Sequence, residues 1–228
     1  MISILTLTYQ RHHILEEAVQ SFIMQEHAED SEMVIINDSP DVNYYCDHPR
    51  VKIANVKERF PSISAKIAWG YKQCSNEFIY RLDDDDLLAP EAISLSKKDI
   101  LENPGYDIYR SKYHYFFSHN EYQGNSDSIN TGNIYTKKYL DGIPFNTSSF
   151  GEDNYITFFH NAKIYNAERS PFTMIYRWGM GTYHVSGMGE NPSDFILKKV
   201  DDSLGTKEVG NIILSPHFKT DYYIQLPK

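Results

Sequence analysis

Four consecutive aspartates, Asp83 to Asp86, follow an apolar, β-prone run at 78–82 and precede two leucines and Pro90. Adjacent carboxylates repel one another unless solvent or a cation relieves them. Hard divalent cations such as Mg²⁺ and Mn²⁺ prefer oxygen ligands, often one or two carboxylates together with substrate phosphates. A strand that stops at such a block delivers it to the C-terminal rim of a sheet, where open α/β folds bind ligands. Pro90 suits the first turn of a following helix, where its missing N–H is not needed. An acidic surface turn is the plain alternative. The buried character of 78–82 favours a metal–phosphate site. An EF-hand calcium loop is excluded, because the alternating acidic spacing and the central glycine are missing.

Other residues of chemical interest lie at the ends of predicted elements. Glu152 and Asp153 follow Ser149-Phe-Gly, so that Ser149 and Glu152 form a capping-box pattern at a helix start, a place acidic residues favour anyway. Asp38 ends an apolar run, where an aspartate commonly caps a turn. Arg11 either begins a helix or meets phosphate. Arg177 and Trp178 either line a pocket or close a buried strand. His184 lies in the glycine-rich stretch Trp178-Gly-Met-Gly-Thr-Tyr-His-Val-Ser-Gly187. His12 and His13 adjoin at a helix start and show no zinc site.

The positioning elements follow from periodicity. Residues 2–8 alternate apolar with Ser and Thr and predict a first strand. Ile14, Leu15, Ala18, Val19, Phe22 and Ile23 have the spacing of an amphipathic helix over 12–25. Strands are predicted at 33–36, 51–56 and 78–82, with helices over 63–74 and 90–103. This alternation implies a mostly parallel sheet flanked by helices, of the nucleotide-binding α/β kind. Beyond residue 105 the pattern changes: a long aromatic strand or strand pair at 106–118, a turn-rich loop at 124–127, and a short strand at 133–136. A helix over 152–160 and strands at 164–167 and 173–178 follow. The remainder is polar apart from an apolar run at 212–214. A single domain over 1–228 is expected, with a nucleotide-binding half (1–105), a half of different character (106–190) holding a smaller antiparallel part, and an extension (191–228).

The 228 residues carry a formal net charge of −9, which argues against a broadly nucleic-acid-coating or membrane-adsorbing surface. Eighteen tyrosines suit strands and also the faces of sugars and bases. Cys46 and Cys74 show neither zinc spacing nor a disulfide framework and fit a reducing cytoplasm. The opening residues lack the basic region of a signal peptide. No stretch approaches the roughly 18 apolar residues of a membrane span. The expected location is cytoplasmic.

Four motifs in order resemble family-2 glycosyltransferases of the GT-A fold, over residues 1 to about 190. Ser3-Ile-Leu-Thr-Leu-Thr-Tyr9 with its following helix resembles the family's opening unit. Ile35-Ile-Asn-Asp-Ser39 resembles its second-strand motif, and Leu82-Asp-Asp-Asp-Asp86 its aspartate–any–aspartate motif, with Asp83 and Asp85 at the two positions. Phe150-Gly-Glu-Asp153 resembles the late Glu-Asp pair. Two departures stand out. Ile67 and Ala68 occupy positions where the family usually carries an Arg-Asn pair, with Lys66 beside them as a substitute cation. Asn37 stands where a first aspartate is common.

The resemblance implies a metal-dependent, inverting transfer of sugar from a nucleotide sugar, most simply a UDP-sugar, to an acceptor hydroxyl. Asp85 then binds Mn²⁺ or Mg²⁺, and His184 adds a ligand. Asp83 sits toward the ribose or shares the metal, Asp86 helps hold the loop, and Asp84 is either a donor-side or a water-facing residue. Thr8, Tyr9 and Asp38 hold the base, while Arg11, Lys66, Arg177 and Trp178 complete the donor site. Asp153 is the general base and Glu152 its support. The acceptor is either a glycan or a hydroxylated base in DNA, as in viral DNA modification. A nucleotidyltransferase would use the same carboxylates but needs a glycine-rich phosphate loop, and Thr8-Tyr9-Gln10-Arg11 has no glycine. A non-catalytic sugar-nucleotide-binding module is the remaining alternative.

Overall fold

A computed structural model describes residues 1–127, 131–145, 151–158, 160–178 and 208–226. Its centre is β1 (Ile2–Thr8), buried along its whole length. Ile2 and Ile4 pack into one apolar cluster with Leu15, Val19 and Phe22 of α1 (His12–Ile23), and Leu5 and Leu7 into a second cluster behind the sheet. A strand whose two faces are both apolar has to lie between layers, which places β1 inside the sheet.

β2 (Glu32–Asn37) lies parallel to β1 on one side, followed outward by β4 (Val51–Asn55). On the other side lies β5 (Phe78–Arg81), also parallel. β3 (Val42–Tyr45) was not foreseen, because its four residues alternate buried and exposed between two turns. α2 (Ile63–Gly70), capped by the Ser62 hydroxyl and followed by a 3₁₀ turn at Tyr71–Gln73, covers the back face. At Gly70 an added Cβ would lie 3.0 Å from Ile36 Cγ1 and 3.1 Å from Leu5 Cδ1, so glycine permits the close approach of helix and sheet.

After the aspartates the chain makes a two-residue strand, β6 (Leu87–Leu88), before α3 (Ala92–Glu102). The helix therefore starts two residues beyond Pro90. β7 (Ile108–Ser111) joins the main sheet and β8 (Tyr113–Ser118) leaves it. The predicted loop at 124–127 is instead part of a strand, β9 (Glu121–Asp127), paired antiparallel with β8. The turn lies earlier, at His119 and Asn120. Both have positive φ, 53° and 61°, as two-residue hairpins of type I′ require. Gly124, at φ 122°, sits by an irregularity in the register of that pair.

β10 (Ile134–Thr136), α4 (Lys137–Asp141), α5 (Glu152–Phe158), β11 (Ile164–Ala167), β12 (Met174–Trp178) and β13 (Gly210–Ile213) complete the described elements. The main sheet has seven strands in the order β11-β7-β10-β5-β1-β2-β4, and only β10 runs against its neighbours. The smaller sheet, β6-β12-β8-β9, is mixed rather than antiparallel, because β12 runs parallel to β8. β13 pairs in parallel with β3 across 168 residues of chain. No helix among the described residues is long and apolar enough to cross a membrane.

Candidate active site

Neighbouring strands β5, β1 and β2 end on the same rim, carrying Asp83 to Asp86, Thr8 with Tyr9, and Asp38 respectively. Leu82 N–H donates to the Leu5 carbonyl at 3.1 Å, so the aspartates emerge directly beside β1. Asp86 N–H then donates to the Asp83 carbonyl at 3.1 Å and folds the block into a turn. Carboxylate oxygens of Asp83, Asp85 and Asp86 converge to within 4.8 Å of one another. The sequence reading gave Asp86 only the role of helping to hold the loop, and adjacent residues of an extended strand would point apart. The turn removes that obstacle.

These residues fit a hard divalent cation. Burial and the neighbouring Asp85 and Asp83 push the Asp86 carboxyl well above the ordinary carboxylate range, a cost that a cation would reverse. The buried Oδ2 of Asp86 has no hydrogen-bond partner among the described residues. A charged oxygen held so is expensive unless something positive meets it.

Asp84 does not face water. It is 1% exposed and paired with Arg11, which also reaches Asp85 at 3.5 Å. Burial raises the Asp84 carboxyl to about 6, against the pull of Arg11. Arg11 also precedes the first turn of α1 as its cap residue. A four-aspartate turn cannot point every side chain to one side, so one is folded under and neutralised by the nearest cation.

Arg81, which the sequence reading passed over, links the two acidic groups. It is buried, pairs with Asp83 at 2.6 Å and donates to the Leu82 carbonyl at 3.0 Å. Its charge also acts on Asp153 and Glu152 at the start of α5. A basic residue inside the run 78–82 was the available signal. Arg81 and Asp153 line one small cavity with Leu5, Ile67, Tyr135 and Ile156. Burial, then Glu152 and Asp83, hold the Asp153 carboxyl well above its ordinary range, and its shielded Oδ1 has no hydrogen-bond partner among the described residues. Burial takes Glu152 to about 7. A carboxyl placed as Glu152 is can exchange protons near neutrality.

At the end of β2, Asp38 is buried with both oxygens engaged. Oδ1 meets Lys66, and Oδ2 accepts from Phe60 N–H at 3.0 Å. Lys66 also donates to the Thr8 carbonyl at 2.7 Å. The Arg59 guanidinium lies 4.1 Å from the centroid of the Tyr9 ring, a cation–π contact the sequence did not announce. Arg177 is fully buried and bonded to Asp86 and Glu17, because β12 pairs with β6 and carries the side chain behind the aspartate turn. Trp178, the next residue, is 40% exposed. His184 and Ser149 lie outside the described residues.

His12, His13 and Glu208 form another group of possible ligands. Glu208 already accepts from His12 N–H at 3.1 Å, contacts His12 Nδ1 at 2.6 Å and binds the Tyr44 hydroxyl. The N-terminus of α1 and the nearby Lys219 favour an anion there, so Glu208 acts as a cap supplied from the far end of the chain.

Fold and rim together define a GT-A-type α/β protein with a carboxylate cluster at the end of a central strand. The chain belongs to glycosyl transferase family 2, whose model matches residues 3–162. No curated protein sequence matches it. Among solved structures it resembles S. aureus TarS 1–349 in complex with UDP-GlcNAc, with TM-score 0.65 and 16% identity over 92% of this chain and 68% of that one. The S. aureus TarS crystal structure matches with TM-score 0.61 and 17% identity over 77% of this chain and 36% of that one. The mannosyltransferase PcManGT from Pyrobaculum calidifontis, in complex with GDP-Man and Mn²⁺, matches with TM-score 0.53 and 13% identity over 77% and 56%. The chain spans 36% of TarS and 60% of the TarS 1–349 chain in complex with UDP.

Proposed function

We propose that this chain is a metal-dependent, inverting glycosyltransferase that moves a sugar from a nucleotide sugar to an acceptor hydroxyl. The observation that carries the reading is the convergence of Asp83, Asp85 and Asp86 beside β1, with Arg81 running from them toward Glu152 and Asp153. Mn²⁺ or Mg²⁺ held by these aspartates would stabilise the charge of a departing nucleoside diphosphate. Tyr9, Arg59 and the strand ends at Thr8 and Asp38 form the seat for the base, and a UDP-sugar is the donor proposed. Asp153 takes the proton of the acceptor hydroxyl, with burial first and then the adjacent Glu152 keeping its proton affinity high. The acceptor proposed is a glycan hydroxyl or a hydroxylated DNA base, with a cytoplasmic location.

The test is thermal stabilisation against a panel of nucleoside diphosphates and nucleotide sugars, with and without Mn²⁺. A Mn²⁺-dependent shift with one donor, followed by donor turnover, supports the reading. A folded protein shifted by none of them overturns it and leaves the non-catalytic module.

A further inference from the structure

Arg177 joins three parts of the chain that are remote in sequence. Its backbone N–H donates to Asp86 Oδ1 at 3.0 Å, and its Nε donates to the Asp85 carbonyl. Its Nη1 pairs with Glu17 Oε2 of α1 at 2.5 Å and donates to the Tyr222 hydroxyl at 3.2 Å. The Tyr222 hydroxyl and the Lys219 N–H both donate to Glu17 Oε1, at 3.0 and 2.9 Å. Ser215 N–H donates to Glu16 Oε1 at 2.7 Å. Glu17, Arg177 and Tyr222 are each no more than 2% exposed. The segment 215–222 is therefore fastened to α1 and, through one guanidinium, to the back of the aspartate turn.

We propose that segment 215–222 is a positioning element for the cation-binding turn, acting through Tyr222, Glu17 and Arg177; this rests on the reading that Asp83, Asp85 and Asp86 hold a divalent cation. Those carboxylates repel one another, so an unsupported turn would splay and separate them. Arg177 opposes this by gripping a backbone carbonyl at Asp85 and one carboxylate oxygen at Asp86, which leaves the other Asp86 oxygen for a cation. The Asp86 oxygen is held by the Arg177 backbone N–H, while the planar guanidinium serves the Asp85 carbonyl, Glu17 and Tyr222 together, which a lysine cannot. Glu17 supplies the counter-charge that keeps the guanidinium buried, and Tyr222 fixes the Glu17 carboxylate. The partners of metal-binding carboxylates influence affinity in this way.

Full-length Tyr222→Phe tests the idea, because it deletes one hydroxyl and keeps the buried ring. Tyr223→Phe is the matched control: its hydroxyl donates to the Leu88 carbonyl at 2.9 Å, away from Arg177. Two readouts are taken, Mn²⁺ affinity by titration calorimetry and amide hydrogen exchange at 83–86. Tyr222→Phe is expected to raise the Mn²⁺ Kd about tenfold and to speed that exchange, with Tyr223→Phe changing neither. Glu17→Gln is expected to have the larger effect, and Arg177→Lys is expected not to restore the wild-type Kd. Unchanged Kd and exchange in Tyr222→Phe, whatever its melting temperature, would overturn the proposal. If the wild type binds no Mn²⁺ yet exchange at 83–86 still rises in Tyr222→Phe, the cation reading fails while the positioning of the turn stands.

Discussion

Lys66 reaches from α2 into the angle between two neighbouring strand ends, donating to the Thr8 carbonyl at 2.7 Å and pairing with the Asp38 carboxylate. Burial lowers its ammonium to about 8, against the pull of Asp38. The pair thus sits where charge is costly, and the two charges justify each other. Lys66→Met removes one and leaves Asp38 buried with only the Phe60 N–H. The expected loss is about 3–5 kcal/mol in urea denaturation, because a stranded buried charge is worse than none. Adding Asp38→Asn should recover part of it. A single variant as stable as the wild type would show that water reaches Asp38.

Glu152 makes stability depend on pH in a defined direction. Its carboxyl lies at about 7 in the folded chain against 4.5 ordinarily, so between those values the folded state binds more protons than the unfolded one. Stability is therefore greatest below the lower value, falls as pH rises through the window, and levels off above about 7. Glu152→Gln should flatten much of that decline and be more stable than the wild type at alkaline pH. Allowing for partial exposure, the gain is roughly 1–2 kcal/mol. Denaturation midpoints across the window test this, and an unchanged slope would refute the assignment.

Removing one oxygen ligand should uncouple stability from the cation. With Mn²⁺ at about 100 times its Kd, the wild type is expected to gain about 2.7 kcal/mol, and a chelator should return it to the starting value. Asp85→Asn should lose most of this gain. It should also be no less stable than the wild type without metal, because one of the crowded charges is gone. A gain that survives in Asp85→Asn would move the cation away from the turn.

The main sheet was legible because its strands carry apolar residues on both faces and its helices repeat at helical spacing, as Ile14, Leu15, Ala18 and Phe22 do. β9 was hidden by Gly124, which reads as a turn but sits by a register irregularity, while the real turn uses His119 and Asn120. At the site, Asp83 and Asp85 announced themselves as acidic residues at the end of an apolar run, and Asp153 as one at a helix start. The partners that set their behaviour did not. Arg81 looks like an ordinary strand residue, Glu17 like the polar side of a helix, and Tyr222 lies 136 residues beyond Asp86 in a polar tail. Local pattern carries the type of each residue; which distant cation neutralises which carboxylate is decided only when the layers close.

Asp153 offers a case in which activity and stability are expected to move in opposite directions. A carboxyl held well above its ordinary range, with a shielded oxygen that has no hydrogen-bond partner among the described residues, costs the folded state stability when it ionises. Asp153→Asn removes that charge at nearly constant shape, so at alkaline pH the variant should be more stable than the wild type. As general base, the same carboxylate is needed only when the acceptor hydroxyl attacks. Turnover should then drop about 10²–10⁴-fold, while Mn²⁺-dependent donor binding stays unchanged. A purely structural carboxylate would behave otherwise: its loss would lower the melting temperature and reduce donor binding along with turnover. Melting curves with and without donor, run beside a transfer assay on the same preparation, separate the two. Unchanged turnover would remove Asp153 from the chemistry and leave its high proton affinity as a consequence of burial alone.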